Sequence, residues 1–242
     1  MLRRARKLAH LLRTPLYRNA LRKGVAAGVE HESVLGRLNC NTVVDIGANR
    51  GQFALAVRCC LPQARIIAFE PLPEPARIFR RIFAGQSGVD LREIAIGPVG
   101  GCCTMHVSAR DDSSSLLPIA ALHTELHPGT GEVGLQQVRA ERLSSMISEA
   151  DLIEPSLLKI DVQGFELQCL EGCLELLPHF DYLYLECAFQ EMYAGQVHAS
   201  RIIEYVLDQG FELVDICHVF YDTQGRTVDA DLLFGNGRKG RL

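Results

Sequence analysis

The sequence predicts an α/β fold in which a mostly parallel sheet of seven strands carries helices on both faces. Apolar runs of four to six residues alternate with stretches of helical periodicity from Thr42 onward. The run Val43–Ile46 leads through a glycine-containing turn into a helical pattern, as strands do at ligand-binding crossovers. Two apolar runs joined by a short polar turn end the chain. They predict a C-terminal antiparallel hairpin.

Composition sets the outer limits of this fold. The 242 residues are 48% hydrophobic and 22% charged, which is typical of a globular protein with one main domain. We predict a helical extension over residues 1–38, the main domain over 39–236 and a short basic tail over 237–242. No apolar run approaches the roughly 18 residues of a membrane span. Nine cysteines without a CxxC pair indicate reduced core residues of a cytoplasmic protein rather than a zinc site.

The start of the chain differs in charge from the rest. Residues 1–29 carry eight Lys or Arg and no acid, whereas the remainder has 17 basic and 29 acidic residues. An acidic body argues against binding of nucleic acid. Leucines among the basic residues of Met1–Lys23 predict an amphipathic helix. Its cationic face either docks on an anionic inner membrane surface or is solvated while the helix lies against the domain.

The first strand ends in a turn that reads Asp-Ile-Gly-Ala-Asn-Arg-Gly from Asp45 to Gly51. Gly47 allows a tight turn, and the free N–H groups of the helix predicted over Gln52–Cys60 suit a carboxylate. The methionine end of S-adenosylmethionine has such a carboxylate, and Asp45 would hold its ammonium, directly or through water. A dinucleotide-binding turn would have glycine in place of Asn49 and no acid beside the pyrophosphate.

The second strand, Arg65–Phe69, ends at Glu70. An acid there accepts hydrogen bonds from both ribose hydroxyls of a bound nucleoside; the alternative is a solvated residue at a strand end. A helix follows over Glu74–Phe83, and Leu91–Ile96 is the predicted third strand. The residues predicted to lie on either side of the adenine are Pro71, Leu72, Ala95 and Ile96; the alternative for these four is ordinary packing at strand ends.

Residues 97–140 interrupt the alternation of strands and helices. They read as a long, turn-rich connection with one small strand-like piece, Cys102–Val107. Long loops in compact domains are often functional, so we expect walls of an acceptor site here. Ser113–Ser115 either bind the cofactor carboxylate or a sugar, or form a simple turn.

The fourth and fifth strands, Leu157–Ile160 and Tyr182–Leu185, end at Asp161 and Glu186. Parallel strands place their carboxyl ends at one edge, so both acids are expected beside the cofactor. Methyl transfer from a sulfonium requires an aligned acceptor oxygen and a group that takes its proton. Asp161 is the first candidate for that group, unless it contacts the cofactor, and Glu186 is the second. Lys159 is either a third catalytic candidate or a structural partner of these acids.

The end of the chain contains helical patterns over Phe165–Leu176 and Ser200–Gln209. They precede the predicted hairpin of Phe211–Tyr221 and Thr227–Phe234. A terminal hairpin on a parallel sheet is typical of the Rossmann-like class I methyltransferases. The histidines show no metal-ligand spacing, and we therefore predict no metal.

The segment Leu157–Gly172, LLKIDVQGFELQCLEG, resembles the FkbM family of methyltransferases. So do VVDIGANRGQF, IIAFEPLP, AIGPVGG and DDSSSLL in the same order. The resemblance covers about residues 30–234. It implies S-adenosylmethionine-dependent O-methylation of a hydroxyl on a sugar, glycolipid or other secondary metabolite. The alternatives are a nicotinamide-dependent oxidoreductase and a non-catalytic cofactor-binding module.

The predicted cofactor site draws on the turn after the first strand, the ends of the next two strands and the serine cluster. Its members are Asp45, Gly47, Ala48, Asn49, Gly51, Gln52, Glu70, Pro71, Leu72, Ala95, Ile96 and Ser115.

Overall fold

The computed structural model describes residues 2–240, with side chains from Lys7 to Gly240. Part of the predicted basic tail, Arg241 and Leu242, and the side chains of Arg3, Arg4 and Arg6 therefore lie outside the described residues. The strands are β1 (Thr42–Ile46), β2 (Arg65–Phe69), β3 (Val89–Arg92), β4 (Ala95–Ile96), β5 (Gly101–Ser108), β6 (Glu132–Glu141), β7 (Ser156–Ile160), β8 (Tyr182–Ala188), β9 (Phe211–Tyr221) and β10 (Thr227–Asn236). The helices are α1 (Leu2–Arg13), α2 (Pro15–Arg22), α3 (Glu32–Leu38), α4 (Gln52–Cys60), α5 (Pro73–Phe83), α6 (Ala121–Leu126), α7 (Leu143–Met146), α8 (Glu166–Cys173) and α9 (Ala199–Asp208).

The main sheet has seven strands in the order β3-β2-β1-β7-β8-β10-β9. Its first five members are parallel, and β10 runs antiparallel to both β8 and β9. This confirms the predicted fold class, including the terminal hairpin. The strand order reverses between β1 and β7, and the carboxyl edge at such a reversal is where open α/β sheets bind ligands.

Alternation along the central strands produces two apolar layers. Val43 and Ile66 point into a core shared with Leu55 of α4, whereas Val44 and Ile67 point into a second core on the opposite face. Side chains of a strand alternate between faces, so strands without polar interruption need cover on both sides. Helices supply that cover on each face, as the sequence predicts.

The N-terminal extension packs against the first of these cores. Tyr17 is fully buried, and its hydroxyl donates to Glu32 at 2.6 Å. Val25 and Ala27 join the same apolar cluster. The described part of the extension thus lies against the domain. None of the described helices is long and apolar enough to cross a membrane.

Two predictions about the middle of the chain are wrong. Leu91–Ile96 is not one strand: β3 ends at Arg92 in the main sheet, and the chain bends before Ala95 enters a second sheet. That second sheet has the order β4-β6-β5. Its strand β5 confirms the predicted strand-like piece Cys102–Val107, but β6 forms a long strand where the sequence reads as a loop. Along β6 only Val138 and Ala140 are buried, so its hydrophobic pattern is too weak to indicate a strand.

Candidate active site

Two adjoining cavities open at the carboxyl edge of the main sheet. The larger cavity measures about 580 Å³ and is lined by the turn after β1, by Glu70–Leu72, by Ala95–Ile96 and by residues 24–28 of the extension. The smaller cavity measures about 380 Å³ and lies over the ends of β8 and the β9–β10 hairpin. Asp161 and Gln163 line both. Both volumes fall in the range of small-molecule sites.

The turn after β1 brings three chain segments close together. Gly47 has φ +79°, and a Cβ there would lie 1.8 Å from the carbonyl oxygen of Asp161. The amides of Gly47 and Ala48 both donate to the carbonyl of Phe69 at 3.0 Å. Glycine is therefore needed for contact between the ends of β1 and β7, in addition to the turn conformation that the sequence indicates.

Most residues of the predicted cofactor site line the larger cavity together. They are Gly47, Ala48, Asn49, Gln52, Glu70, Pro71, Leu72, Ala95 and Ile96. Ala95 lines this cavity although the chain bends after β3, because β4 begins close to the point where β3 leaves the main sheet. Pro71–Leu72 and Ala95–Ile96, which are predicted to lie on opposite sides of an adenine, thus line the same cavity.

Glu70 is held at this edge by the backbone. Its Oε2 accepts the N–H of Asn49 at 2.9 Å, and its Oε1 accepts the N–H of Leu72 at 2.8 Å. Burial raises the pKa of Glu70 to about 7, even though both amides favour the charged form. Each oxygen retains a lone pair, which allows it to accept a further hydrogen bond from a ligand hydroxyl.

Gly51 and Ser115 have other roles than those predicted, since neither lines a cavity. Gly51 has φ +92°, and a Cβ there would meet the rings of Phe79 and Phe83 at 3.0 Å or less, so this glycine lets α4 pack on α5. The Ser115 hydroxyl donates to the carbonyl of Gln163 at 2.6 Å. It fixes the segment after β7 instead of facing a ligand.

Asp45 is fully buried and lies behind the cavity wall. Its Oδ1 is 3.0 Å from the Nζ of Lys159, which also donates to the carbonyl of Gly47 at 3.0 Å. This corrects the expected role of Asp45: the ammonium that it holds belongs to the protein. Burial raises the pKa of Asp45. Burial acts to lower the pKa of Lys159, but Asp45 and Asp161 outweigh it and raise that pKa, so Lys159 carries its charge.

Asp161 and Glu186 lie close together, as predicted. They are linked by Gln163, which the sequence analysis did not single out. The side-chain amide of Gln163 donates to Asp161 at 2.9 Å and to Glu186 at 2.8 Å. Burial opposes ionisation of Asp161, but Lys159 and Gln163 hold its pKa below the usual value. Burial and then Asp161 raise the pKa of Glu186 well above its usual value. Asp161 is thus the ionised member of the pair, and Glu186 holds the proton.

Gln163 is itself fixed from the other side. It adopts φ +57°, and its Oε1 accepts the hydroxyl of Tyr193 at 2.6 Å. The same hydroxyl lies 3.0 Å from Nε2 of His123, whose pKa burial lowers to about 4, so that this histidine is neutral. The position of Gln163 between an aspartate and a glycine after β7 was the available sequence signal. Tyr193 lies in a loop with no comparable signal.

The smaller cavity is strongly acidic. Its carboxylates outnumber its single arginine, Arg110; they are Glu30, Asp112, Asp161, Glu166, Glu186, Asp229 and Asp231. Four histidines also line it: His31, His123, His127 and His218. The segment of residues 97–140 contributes part of the wall, as expected. The N-terminal extension, the segment after β7, the end of β8 with the loop that follows it, and the β9–β10 hairpin contribute the remainder.

The chain is similar to known methyltransferases. The model of the methyltransferase FkbM domain matches residues 45–213. The 2-O-methyltransferase NoeI of Sinorhizobium fredii is 30% identical over 178 residues, which cover 71% of this chain and 72% of that protein. The hexuronic acid methyltransferase AglP of Haloferax volcanii is 25% identical over 142 residues, 59% of this chain and 54% of that protein.

Solved structures support the same fold. A Streptococcus pneumoniae protein in complex with S-adenosyl-L-methionine superposes with a TM-score of 0.50 at 12% identity, covering 86% of this chain and 72% of that one. A Rossmann-superfamily protein of Streptococcus agalactiae has the same TM-score at 13% identity, covering 88% of this chain and 70% of that one.

Proposed function

Because the chain belongs to the FkbM methyltransferase family, we propose that this S-adenosylmethionine-dependent methyltransferase methylates a hydroxyl of a sugar or glycolipid. The observation that carries the proposal is the position of Asp161. Its ionised carboxylate faces both cavities at their junction. A hydroxyl bound in the smaller cavity and a methyl donor in the larger one would meet beside this carboxylate.

The residues that line the larger cavity suit the donor and acceptor groups of S-adenosylmethionine. Glu70 would accept the ribose hydroxyls through its remaining lone pairs, and Leu72 and Ile96 would enclose the adenine. The backbone of the turn at Ala48 and Asn49 would face the methionine end. Bound there, the cofactor supplies a methyl group on a sulfonium whose leaving group is neutral, so little electrophilic help is needed.

The chain's own part in the reaction is alignment and removal of a proton. Asp161 accepts the hydrogen bond of the acceptor hydroxyl and takes its proton as the oxygen bonds to the methyl carbon. Gln163 keeps Asp161 and the protonated Glu186 at fixed separations. Lys159 favours the carboxylate form of Asp161 from 3.6 Å. These contacts hold the base in one orientation before the acceptor binds.

A polyhydroxyl acceptor also suits the walls of the smaller cavity. Carboxylates and neutral imidazoles accept hydrogen bonds from several hydroxyls, whereas a second anion would be repelled. The name of NoeI indicates transfer to oxygen in that relative. We therefore expect neutral sugars to be better acceptors than uronic acids, in contrast to the substrate that the name of AglP gives.

The test is methyl transfer from labelled S-adenosylmethionine to matched neutral and uronic glycosides. We expect Asp161→Asn to lower kcat by about 10²- to 10⁴-fold, the usual contribution of a general base. Affinity for S-adenosylhomocysteine should stay within about threefold, since the amide keeps the shape of the junction. Full turnover in this variant would refute the role of Asp161, and transfer to nitrogen instead of oxygen would refute the proposed acceptor.

We also propose that the extension brings the enzyme to an anionic membrane surface. Leu8 and Leu12, one helical turn apart on α1, are 50% and 46% exposed, and basic residues surround them. Replacing both by serine should abolish co-sedimentation with vesicles containing phosphatidylglycerol. The matched variant Leu207→Ser, also 46% exposed but on α9, should bind normally. Equal binding by all three proteins would refute this proposal.

A further inference from the structure

We propose that His31, His218 and Asp231 bind a divalent transition-metal ion in the wall of the smaller cavity. Each residue offers one ligand atom, and the three atoms lie within 4.8 Å of one another. Nδ1 of His218 is 2.9 Å from Oδ2 of Asp231, and Nδ1 of His31 is 3.6 Å from the same oxygen. A shift of side-chain torsions alone would bring all three to one ion.

Three distant segments supply these groups. His31 ends the one-turn helix Val29–His31 of the N-terminal extension, His218 lies on β9 and Asp231 on β10. His218 has φ +45°, and the β9–β10 register shifts at this point, between Asp229 and Asp231. Bulges of this kind redirect side chains beside functional sites. A non-glycine residue kept in this conformation is a reason to expect a function for the site.

The donor set defines the class of ion. Two imidazoles and one carboxylate suit Zn²⁺, Mn²⁺, Fe²⁺ or Co²⁺ and leave coordination positions open. His31 lines both cavities, and His218 and Asp231 line the smaller one, so the open positions face the proposed acceptor. The surrounding carboxylates would attract a cation into this space.

A hydrogen-bond network competes with the ion for the same groups. The hydroxyl of Tyr184 lies 2.8 Å from Oδ2 of Asp231, 3.0 Å from Nδ1 of His31 and 3.1 Å from Nδ1 of His218. A phenol has one proton and two lone pairs, so this network satisfies all three neighbours without a metal. Metal binding would replace these hydrogen bonds with stronger bonds to the ion. Titration of the protein with metal distinguishes the hydrogen-bonded state from the metal-bound state.

The location gives the ion a role in the proposed reaction. Asp231 is the register partner of Glu186 across β10 and β8, which places the cluster one strand from the Asp161–Glu186 pair. A bound ion would orient an acceptor oxygen and lower the pKa of its hydroxyl. This role rests on the proposed methyl transfer, whereas metal binding itself does not.

The experiment is calorimetric titration of the chelator-stripped full chain with Mn²⁺ and with Zn²⁺, without methyl donor or acceptor. We expect one ion per chain, and roughly hundredfold weaker binding in His218→Ala and in the near-isosteric Asp231→Asn. His127→Ala removes a histidine of the same cavity outside the cluster and should bind as the wild type does. Circular dichroism of each variant verifies that it is folded.

Absence of binding, or equal binding in wild type, His218→Ala and Asp231→Asn, would overturn the proposal. The second outcome would assign the ion to other carboxylates of the cavity. Because neither readout involves methyl transfer, failure of the metal site and failure of the proposed reaction are separate results.

Discussion

The two cavities share Asp161 and Gln163 but differ in how their other residues are distributed along the chain. Most of the larger one is lined by short continuous segments at the ends of adjacent strands, with further residues from the N-terminal extension and from the segment of residues 105–116. The smaller one collects side chains from the N-terminal extension, the connection between β5 and β6, the segment after β7, β8 and the terminal hairpin. A site whose residues are contiguous in the sequence can be predicted from a local motif. A site assembled from distant segments can be recognised only once the fold is known.

Charge separates them as well. Acids near the larger cavity have partners: Asp45 has Lys159, Asp111 has Arg50 at 2.7 Å, and Glu70 has two amides. Acids of the smaller cavity outnumber its cations. Substitutions at the larger cavity should therefore act through steric fit, broken pairs and the titration of Glu70, whereas added metal ions should act on the smaller one.

The largest effect is expected where the backbone itself is in contact. Gly47→Ala would place a Cβ 1.8 Å from the carbonyl oxygen of Asp161. We expect a loss of more than about 4 kcal/mol in the free energy of unfolding, a size reserved for severe steric or burial defects. Urea denaturation measures it. Gly85→Ala is the control, since Gly85 has a similar φ of +77° with nothing within 4 Å and should lose only about 1–2 kcal/mol. Equal losses in the two variants would disprove the contact.

The next largest effect concerns the buried pair beneath the larger cavity. Lys159→Met leaves Asp45 buried without its cation, which typically costs about 3–5 kcal/mol. The loss should shrink at acid pH, because a proton can then neutralise Asp45, whose pKa burial already raises. Unfolding free energies at pH 8 and pH 6 provide the measurement. Adding Asp45→Asn should restore most of the stability; a double variant no more stable than the single one would contradict this account.

The same contrast explains what the sequence could predict. Strong hydrophobic runs such as β1 and β7 specified the central sheet, and the turn with Asn49 specified the cofactor edge. The β6 strand was missed because its apolar residues change face, with Val133 and Leu135 exposed on one side and Val138 and Ala140 buried on the other, so no single face alternates along its length. The role of Asp45 was misassigned because a carboxylate after a strand is consistent with either a ligand ammonium or a lysine from the neighbouring strand. Only the register Asp45 to Lys159 distinguishes them.

A smaller effect should follow from the titration of Glu70. Burial raises its pKa to about 7, so the free protein carries it mostly protonated at pH 6 and ionised at pH 8. Only the ionised form can accept hydrogen bonds from both ribose hydroxyls with both oxygens. Affinity for S-adenosylhomocysteine should therefore fall roughly tenfold from pH 8 to pH 6, with proton release on binding. Calorimetry in two buffers tests this, and Glu70→Gln should bind weakly and without that pH dependence. A pH-independent wild type would exclude Glu70 as the titrating contact.

The smallest effect tests whether the larger cavity also depends on a distant segment. Lys7 of α1 and Glu30 pair at 2.7 Å on its rim, and both are about 40% exposed. An exposed pair contributes at most about 1 kcal/mol, so Lys7→Ala should weaken S-adenosylhomocysteine binding by no more than about fivefold. High salt should remove the difference. Arg77→Ala breaks the exposed pair with Glu74 on α5, outside the residues that line this cavity, and should leave affinity unchanged. If the two variants behave alike, the extension covers the cavity without contributing to binding, and the larger cavity is a purely local site after all.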